Sequence, residues 1–255
     1  MRIEFLGTGT SQGVPPIGCH SEVCRSEDPR DKRLRTSVHI HTGELSLVVD
    51  SGPDFRYQML RSGIERIDGL LFTHEHRDHT AGLDDIRAFN YMQGDAIDAY
   101  LHPRVLQKLH LHYDYIFDPN PYPGIPIIRW HEIGLEPFDL KGQRIVPIEV
   151  MHYRLPVLGF RVNDFSYVTD ANYIHERELE KLKGSKVLVL NALRRESHIS
   201  HFTLDEAVEV AKLVGAEQTF FTHMSHQIGL HAEVNASLPA GMALAHDGLV
   251  LEWND

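Results

Sequence analysis

Between Thr73 and His79 the chain reads Thr-His-Glu-His-Arg-Asp-His, which sets three imidazoles and an aspartate within six residues. Imidazole nitrogen and carboxylate oxygen, with no thiolate close by, suit zinc, manganese or iron. The run follows Gly69-Leu70-Leu71-Phe72, an apolar segment fit for a buried strand. An extended loop leaving that strand sends His74 and His76 to one side, before Asp78 and His79 turn back toward a helix start at Gly82-Leu83. One ion can then take His74 and His76 and a second Asp78 and His79, and two ions about 3.5–4 Å apart form the clamp used for displacement at phosphorus. A solvated loop that is merely rich in histidine gives no reason for that spacing.

The elements that must hold these residues can be read from periodicity. Strands are predicted at 2–6, 37–41, 46–49, 69–72, 99–101, 127–130, 144–150, 158–162, 165–169, 187–190, 218–221 and 249–253. Helices are predicted at 55–62, 83–91, 103–113, 175–182, 204–214 and 232–237, with Thr203 and Glu206 spaced as a capping box. Strands come first with helices interspersed, and the second half repeats the alternation. This suits an α+β fold of two sheets packed face to face with helices outside, the ligands gathered at strand ends along one edge.

Composition narrows the function. The chain has 255 residues, 42% of them hydrophobic, enough for a large core. It contains no linker-like, low-complexity or repeated tract, so the expectation is a single domain over 1–255. The start alternates like a strand and lacks the apolar core of a signal peptide, and no apolar run approaches the ~18 residues of a membrane span; the expected location is the cytoplasm, with no membrane partner. A net charge of −11 argues against a long nucleic acid as partner, since phosphate contacts need clustered Lys and Arg. A small phosphorylated substrate fits better, because two bound cations reverse the local potential. Cys19 and Cys24 close too short a loop for much entropic stabilisation, and a disulfide is unusual in the cytoplasm, so they read as metal ligands.

Further donors stand where strands should end: His152 after 144–150, Asp170 after Phe165 to Thr169, and His223 after 218–221. With these in place the chain resembles the metallo-β-lactamase-fold hydrolases. That resemblance implies a four-layer α/β/β/α sandwich. It also implies a dinuclear centre in which one ion takes His74, His76 and His152, the other Asp78, His79 and His223, with Asp170 between them. Asp50, in Val48-Val49-Asp50-Ser51-Gly52, matches an acidic strand end that accepts a hydrogen bond from a ligand histidine; a turn-initiating aspartate is its plainer reading. His76 stands where redox diiron relatives carry a carboxylate, which favours hydrolysis.

The N-terminal segment, Gly7-Thr8-Gly9-Thr10-Ser11-Gln12-Gly13-Val14-Pro15 followed by Cys19, Cys24, Asp28 to Asp31 and Arg33 to Ser37, is similar to the cyclic phosphodiesterases of the carbon-phosphorus lyase pathway. Those enzymes open 5-phosphoribosyl 1,2-cyclic phosphate and hold a structural zinc with C-x-C-x-x-C and a distant histidine. The matching positions are Cys19, Ser21, Cys24 and His226, with Ser21 in place of the middle thiolate and His20 as a substitute fourth ligand. The resemblance further implies that a hydroxide bridging the two ions attacks phosphorus, that Asp78 is essential to it, that His201 gives a proton to the leaving oxygen, and that the protein forms a homodimer. Arg33 and Arg35 either grip a substrate phosphate or pair with Asp28 and Asp31. Tyr113 to Tyr122 is an aromatic insertion that either walls a pocket or dimer contact or packs as a loop. Two other readings stand beside the phosphodiesterase: a transfer-RNA 3′-end nuclease, which shares the His79-Thr80-Ala81-Gly82-Leu83 continuation, and a non-catalytic metal-binding carrier of the same fold.

Overall fold

The computed structural model describes residues 1–120 and 122–254. They form two compact units, each built on one sheet: Met1–Leu6 with Ser37–Gly134 and the stretch from Val250, and Gly7–Thr36 with Leu135–Leu249.

In the first unit seven strands lie in the order Val250–Glu252, Arg2–Gly7, Ser37–Thr42, Leu45–Val49, Gly69–Leu71, Ile97–Leu101 and Ile128–Glu132. The last four are parallel, which requires three crossovers between them. Helices Phe55–Ser62, Arg87–Gln93 and Pro103–His112 supply them. Their apolar sides bury Phe55, Met59, Phe89, Val105 and Leu109 against Val48, Leu70 and Ala99 of the sheet. Parallel strands with helical crossovers deliver their C-terminal ends to one edge, where α/β sheets place ligands. Asp50 and the Thr73–His79 run follow two neighbouring strands at that edge.

Predicted and observed elements coincide closely, with two kinds of difference. The helix expected at 83–91 begins as a 3-10 turn, Leu83–Ile86, and becomes α-helical at Arg87. Gly82 explains the tight entry. A Cβ there would sit against the Gly52 carbonyl and 2.7 Å from Phe55 Cβ, and the Gly82 N–H donates to the Ser51 carbonyl at 2.8 Å. The Tyr113–Tyr122 insertion, of which Pro121 lies outside the described residues, packs at its start: Tyr113 is buried and its hydroxyl donates to the Thr80 carbonyl, while Phe117 stacks on His110 and Trp130.

The second unit's sheet runs Tyr173–Ile174, Gln143–His152, Leu155–Val162, Phe165–Val168, Val187–Asn191, Gln218–Thr222 and Met242–Leu244, with Phe138–Leu140 paired to Gln143–His152. Hairpins join the antiparallel strands, and Glu176–Leu182, Leu204–Val214 and His231–Ser237 cross between the parallel ones. His152, Asp170 and His223 therefore leave their strands at a common edge of this sheet. The strands missed from the sequence, Phe138–Leu140, Tyr173–Ile174 and Met242–Leu244, span two or three residues, too short to show a period; they exist because a longer neighbour offers free backbone groups. Thr203 and Glu206 form the capping box their spacing predicted.

One core histidine makes folding sensitive to acid. His39 is buried in strand Ser37–Thr42, and its Nε2–H donates to Ser46 Oγ, which itself donates to the Arg66 carbonyl. Its Nδ1 has no hydrogen-bond partner, so a second proton there would be a buried, unsatisfied charge. Burial pushes the imidazolium down from its ordinary 6.5 to about 4. The unfolded chain takes up this proton near pH 6.5 and the folded one resists it, so stability is lost as pH falls from 6.5 toward 4, by up to about 3 kcal/mol. Unfolding in urea should show His39→Gln losing less stability than wild type between pH 7 and pH 5.

Candidate metal centre

The first unit's donors are organised by a carboxylate with no exposed surface. Asp50 accepts from the Thr73 N–H at 2.8 Å, the Thr73 hydroxyl at 2.8 Å and His79 Nδ1 at 2.6 Å. Burial pushes its carboxyl upward, while His79 and Thr73 pull the other way by favouring the charged form. These bonds decide which nitrogen each histidine presents. Thr73 Oγ1, having given its proton to Asp50, accepts from His74 Nδ1 at 3.0 Å, leaving the His74 Nε2 lone pair aimed at His76 Nδ1, 2.9 Å away. His79 commits Nδ1–H to Asp50, and its Nε2 faces an Asp78 carboxylate oxygen at 3.3 Å. His74, His76, Asp78 and His79 thus gather imidazole nitrogens and a carboxylate oxygen within a few ångströms, a donor set that fits divalent metal.

The second unit repeats the arrangement. His152, closing strand Gln143–His152, donates Nδ1–H to the Ser200 carbonyl at 2.9 Å and keeps its Nε2 lone pair. Asp170 lies two residues beyond Val168 and its Oδ2 accepts from Thr169 Oγ1 at 2.7 Å. His223 follows Thr222, with Nδ1 3.2 Å from Asp170 Oδ2 and Nε2 3.4 Å from Thr10 Oγ1. His152, Asp170 and His201 bring donor atoms within 4.8 Å of one another. The His201 ring lies 4.7 Å from that of His152 and 4.9 Å from that of His223. His201 is buried, its Nδ1 makes no hydrogen bond, and burial pushes its imidazolium down to about 3. It is therefore neutral near pH 7 in the metal-free protein, with one N–H to offer.

Three of these residues carry strained backbone. Six described residues other than glycine have positive φ; Lys141, Tyr153 and Asn163 occupy hairpin turns, and the other three are Asp50, Asp170 and His223. Each left-handed residue costs about 1–3 kcal/mol and persists only where its surroundings over-determine it. At all three a strand ends and the chain must turn at once to aim a side chain along the edge.

The N-terminal segment brings together one expected group and corrects one expected pairing. Cys19 and Cys24, read as metal ligands, are brought together with Cα atoms 6.1 Å apart. The helical turn Glu22–Arg25 folds Cys24 back toward Cys19, with Ser21, at the position of the missing thiolate, capping that turn by accepting from the Cys24 N–H. His226 lies within 4.8 Å of both sulfurs, while His20 is exposed and outside the group. Arg33 pairs with neither Asp28 nor Asp31. It is buried and donates to Thr8 Oγ1, the Ala245 carbonyl and His231, while Asp28 takes Arg30 and Asp31 takes Ser26 and the His231 N–H. Such burial was invisible in the sequence, where an Arg beside two aspartates reads as a surface pair.

Histidine and aspartate at strand ends, on an α+β fold with two sheets, define a class. The Beta-lactamase superfamily domain matches residues 46–224, and the chain belongs to that superfamily and has the metallo-β-lactamase type of fold. More narrowly, it is a member of the PhnP family. The crystal structure of a new diphosphatase from that family is 39% identical and superimposes with a TM-score of 0.92, covering 99% of this chain and 98% of the other. An octanoyltransferase of Porphyromonas gingivalis is 40% identical over 252 residues, 98% of this chain and 51% of that protein. A ribonuclease Z of Lactobacillus helveticus is 28% identical over 174 residues, 66% of this chain and 50% of that protein. The chain thus spans about half the length of these curated relatives.

Asp50→Asn would set an amide N–H against Thr73 and His79, both donors, and free the His79 ring to turn. Zinc affinity should fall about 10- to 100-fold, measured by competition with a chromogenic chelator, with the circular dichroism spectrum unchanged.

Proposed function

We propose that this protein is a metal-dependent phosphodiesterase acting on a small cyclic phosphate such as 5-phosphoribosyl 1,2-cyclic phosphate. The observation that carries the reading is the tautomer set: His74, His79 and His152 each spend Nδ1–H on a fixed acceptor or carboxylate and keep Nε2 for a metal. In the proposal His74, His76 and His152 hold one divalent ion, Asp78, His79 and His223 the other, and Asp170 serves both. When bound, two such ions, zinc or manganese or iron, acidify water and neutralise charge developing on a phosphoryl group. The chain's own contribution is positional. Asp50 keeps His79 from rotating, the Ser200 carbonyl does the same for His152, and Asp78 supplies negative charge that raises affinity for a cation. His201, neutral and stripped of water, offers its N–H to the leaving oxygen, where a hydrogen bond gains most as negative charge builds. The likeness to a PhnP-family diphosphatase supports the phosphoryl substrate.

A nuclease acting on transfer RNA 3′ ends is the second reading, favoured by the ribonuclease Z relative. The charge of −11 weighs against it. The octanoyltransferase's name belongs to a protein of which only half aligns here, and the histidine-rich donor set is not needed for acyl transfer.

Purified protein should release p-nitrophenol from bis(p-nitrophenyl) phosphate with manganese or zinc and stop when chelator is added; turnover that survives chelation would overturn the metal-dependent reading. Asp78→Ala should lose that activity by at least a thousandfold while unfolding cooperatively as wild type does. His201→Ala should lose about 10²- to 10⁴-fold on an alkyl phosphodiester and far less on the nitrophenyl ester, whose leaving group needs no help. Equal losses would remove the leaving-group role. Cleavage of precursor transfer RNA in preference to small cyclic phosphates would establish the second reading.

A further inference from the structure

His201 belongs to a stretch, 192–203, that has no strand or helix of its own. Such a segment has no ladder of its own and holds a fixed shape only where something pins it. Its far end is pinned twice. The Ser200 carbonyl accepts from His152, and the Phe202 N–H donates to the Ala171 carbonyl at 2.7 Å. Its near end is held by backbone bonds, Ala192 N–H to the Thr222 carbonyl, Leu193 N–H to the Phe202 carbonyl and Leu204 N–H to the Arg194 carbonyl, with Ser225 donating to the Leu193 carbonyl. The bend between, 195–198, is held by the Arg194 guanidinium. Arg194 Nε donates to the Glu196 carbonyl at 3.2 Å and Nη2 to the Ser197 carbonyl at 3.0 Å, which curls the chain back on itself. Nη1 donates to Gln227 Oε1 at 2.9 Å, which fastens the curl to the 3-10 turn His226–Ile228 just beyond His223.

We infer that Arg194, anchored by Gln227, is the positioning residue for His201, setting where its N–H meets the leaving oxygen. Arg194 touches neither metal nor substrate in this role. Three donors in one rigid plane reach two carbonyls and an amide oxygen together, which a lysine ammonium on a flexible stem does not reproduce. A half-buried arginine held over two carbonyls also gives up rotamer freedom, and among the described residues no acidic partner explains the geometry as a surface ion pair. Gln227 ties the segment to the element that carries His226 and follows His223, so two histidines on different loops are held to a common frame.

The inference rests on the hydrolytic reading, and the test separates the two. With metal saturating, Arg194→Ala and Gln227→Leu should each lower kcat on an alkyl phosphodiester at least tenfold and on bis(p-nitrophenyl) phosphate less than threefold, with KM unchanged. Arg194→Lys should restore little. Gln227→Glu, which keeps the acceptor, should retain kcat. Amide hydrogen exchange over 196–201 should quicken in Arg194→Ala while the thermal midpoint stays within a few degrees of wild type. Equal losses on the two esters, or unchanged exchange, would overturn the positioning role. If wild-type protein hydrolyses neither ester, the hydrolytic reading falls, and the exchange experiment still decides whether Arg194 orders the segment.

Discussion

The buried Asp50 carboxylate is the constraint on which the first unit's chemistry depends. A charge removed from water must be met by donors, and Asp50 is met by three: the Thr73 backbone, the Thr73 hydroxyl and His79. Because Thr73 gives its hydroxyl proton to Asp50 it must accept from His74, and because His79 gives its Nδ1 proton it must keep a lone pair on Nε2. One buried charge thus sets two tautomers through a chain of donor and acceptor roles.

The second unit reaches the same result with neutral partners. The Ser200 carbonyl fixes His152, and Thr169 steadies Asp170. The difference follows from what is packed nearby: Asp50 is enclosed by its sheet's own strand ends, whereas His152 closes a hairpin beside an irregular segment. Strain concentrates where these side chains are aimed. Asp50, Asp170 and His223 all adopt left-handed backbone, a cost of order 1–3 kcal/mol each that the surrounding hydrogen bonds and core must offset. Gly82 shows the same pressure at a position where any Cβ would collide with neighbouring backbone.

Much of the architecture could be read in advance because its elements are long and periodic. The helices at 55–62 and 204–214 appear with the predicted bounds, and most strands within a residue or two. The donors were legible for a related reason: histidine and aspartate seldom recur at strand ends by accident, and the His74–His79 spacing has no structural motive. What could not be read lies in contacts between residues distant in sequence. Arg33 sits beside acids in the chain yet turns inward to Thr8, Ala245 and His231. Cys19 and Cys24 come together with His226, far along the chain, because a helical turn folds one cysteine toward the other.

By itself the sequence determined the class of fold, the order of strands and helices, and the inventory of imidazoles and carboxylates, because periodicity and residue chemistry are written along the chain. Only the tertiary structure decided which nitrogen each histidine presents, that His201 is buried and neutral, and that Arg194 spans from its own loop to Gln227. These depend on burial and on partners tens or hundreds of residues away, and a hydrogen bond's direction is fixed by the whole network around it rather than by the residue that makes it.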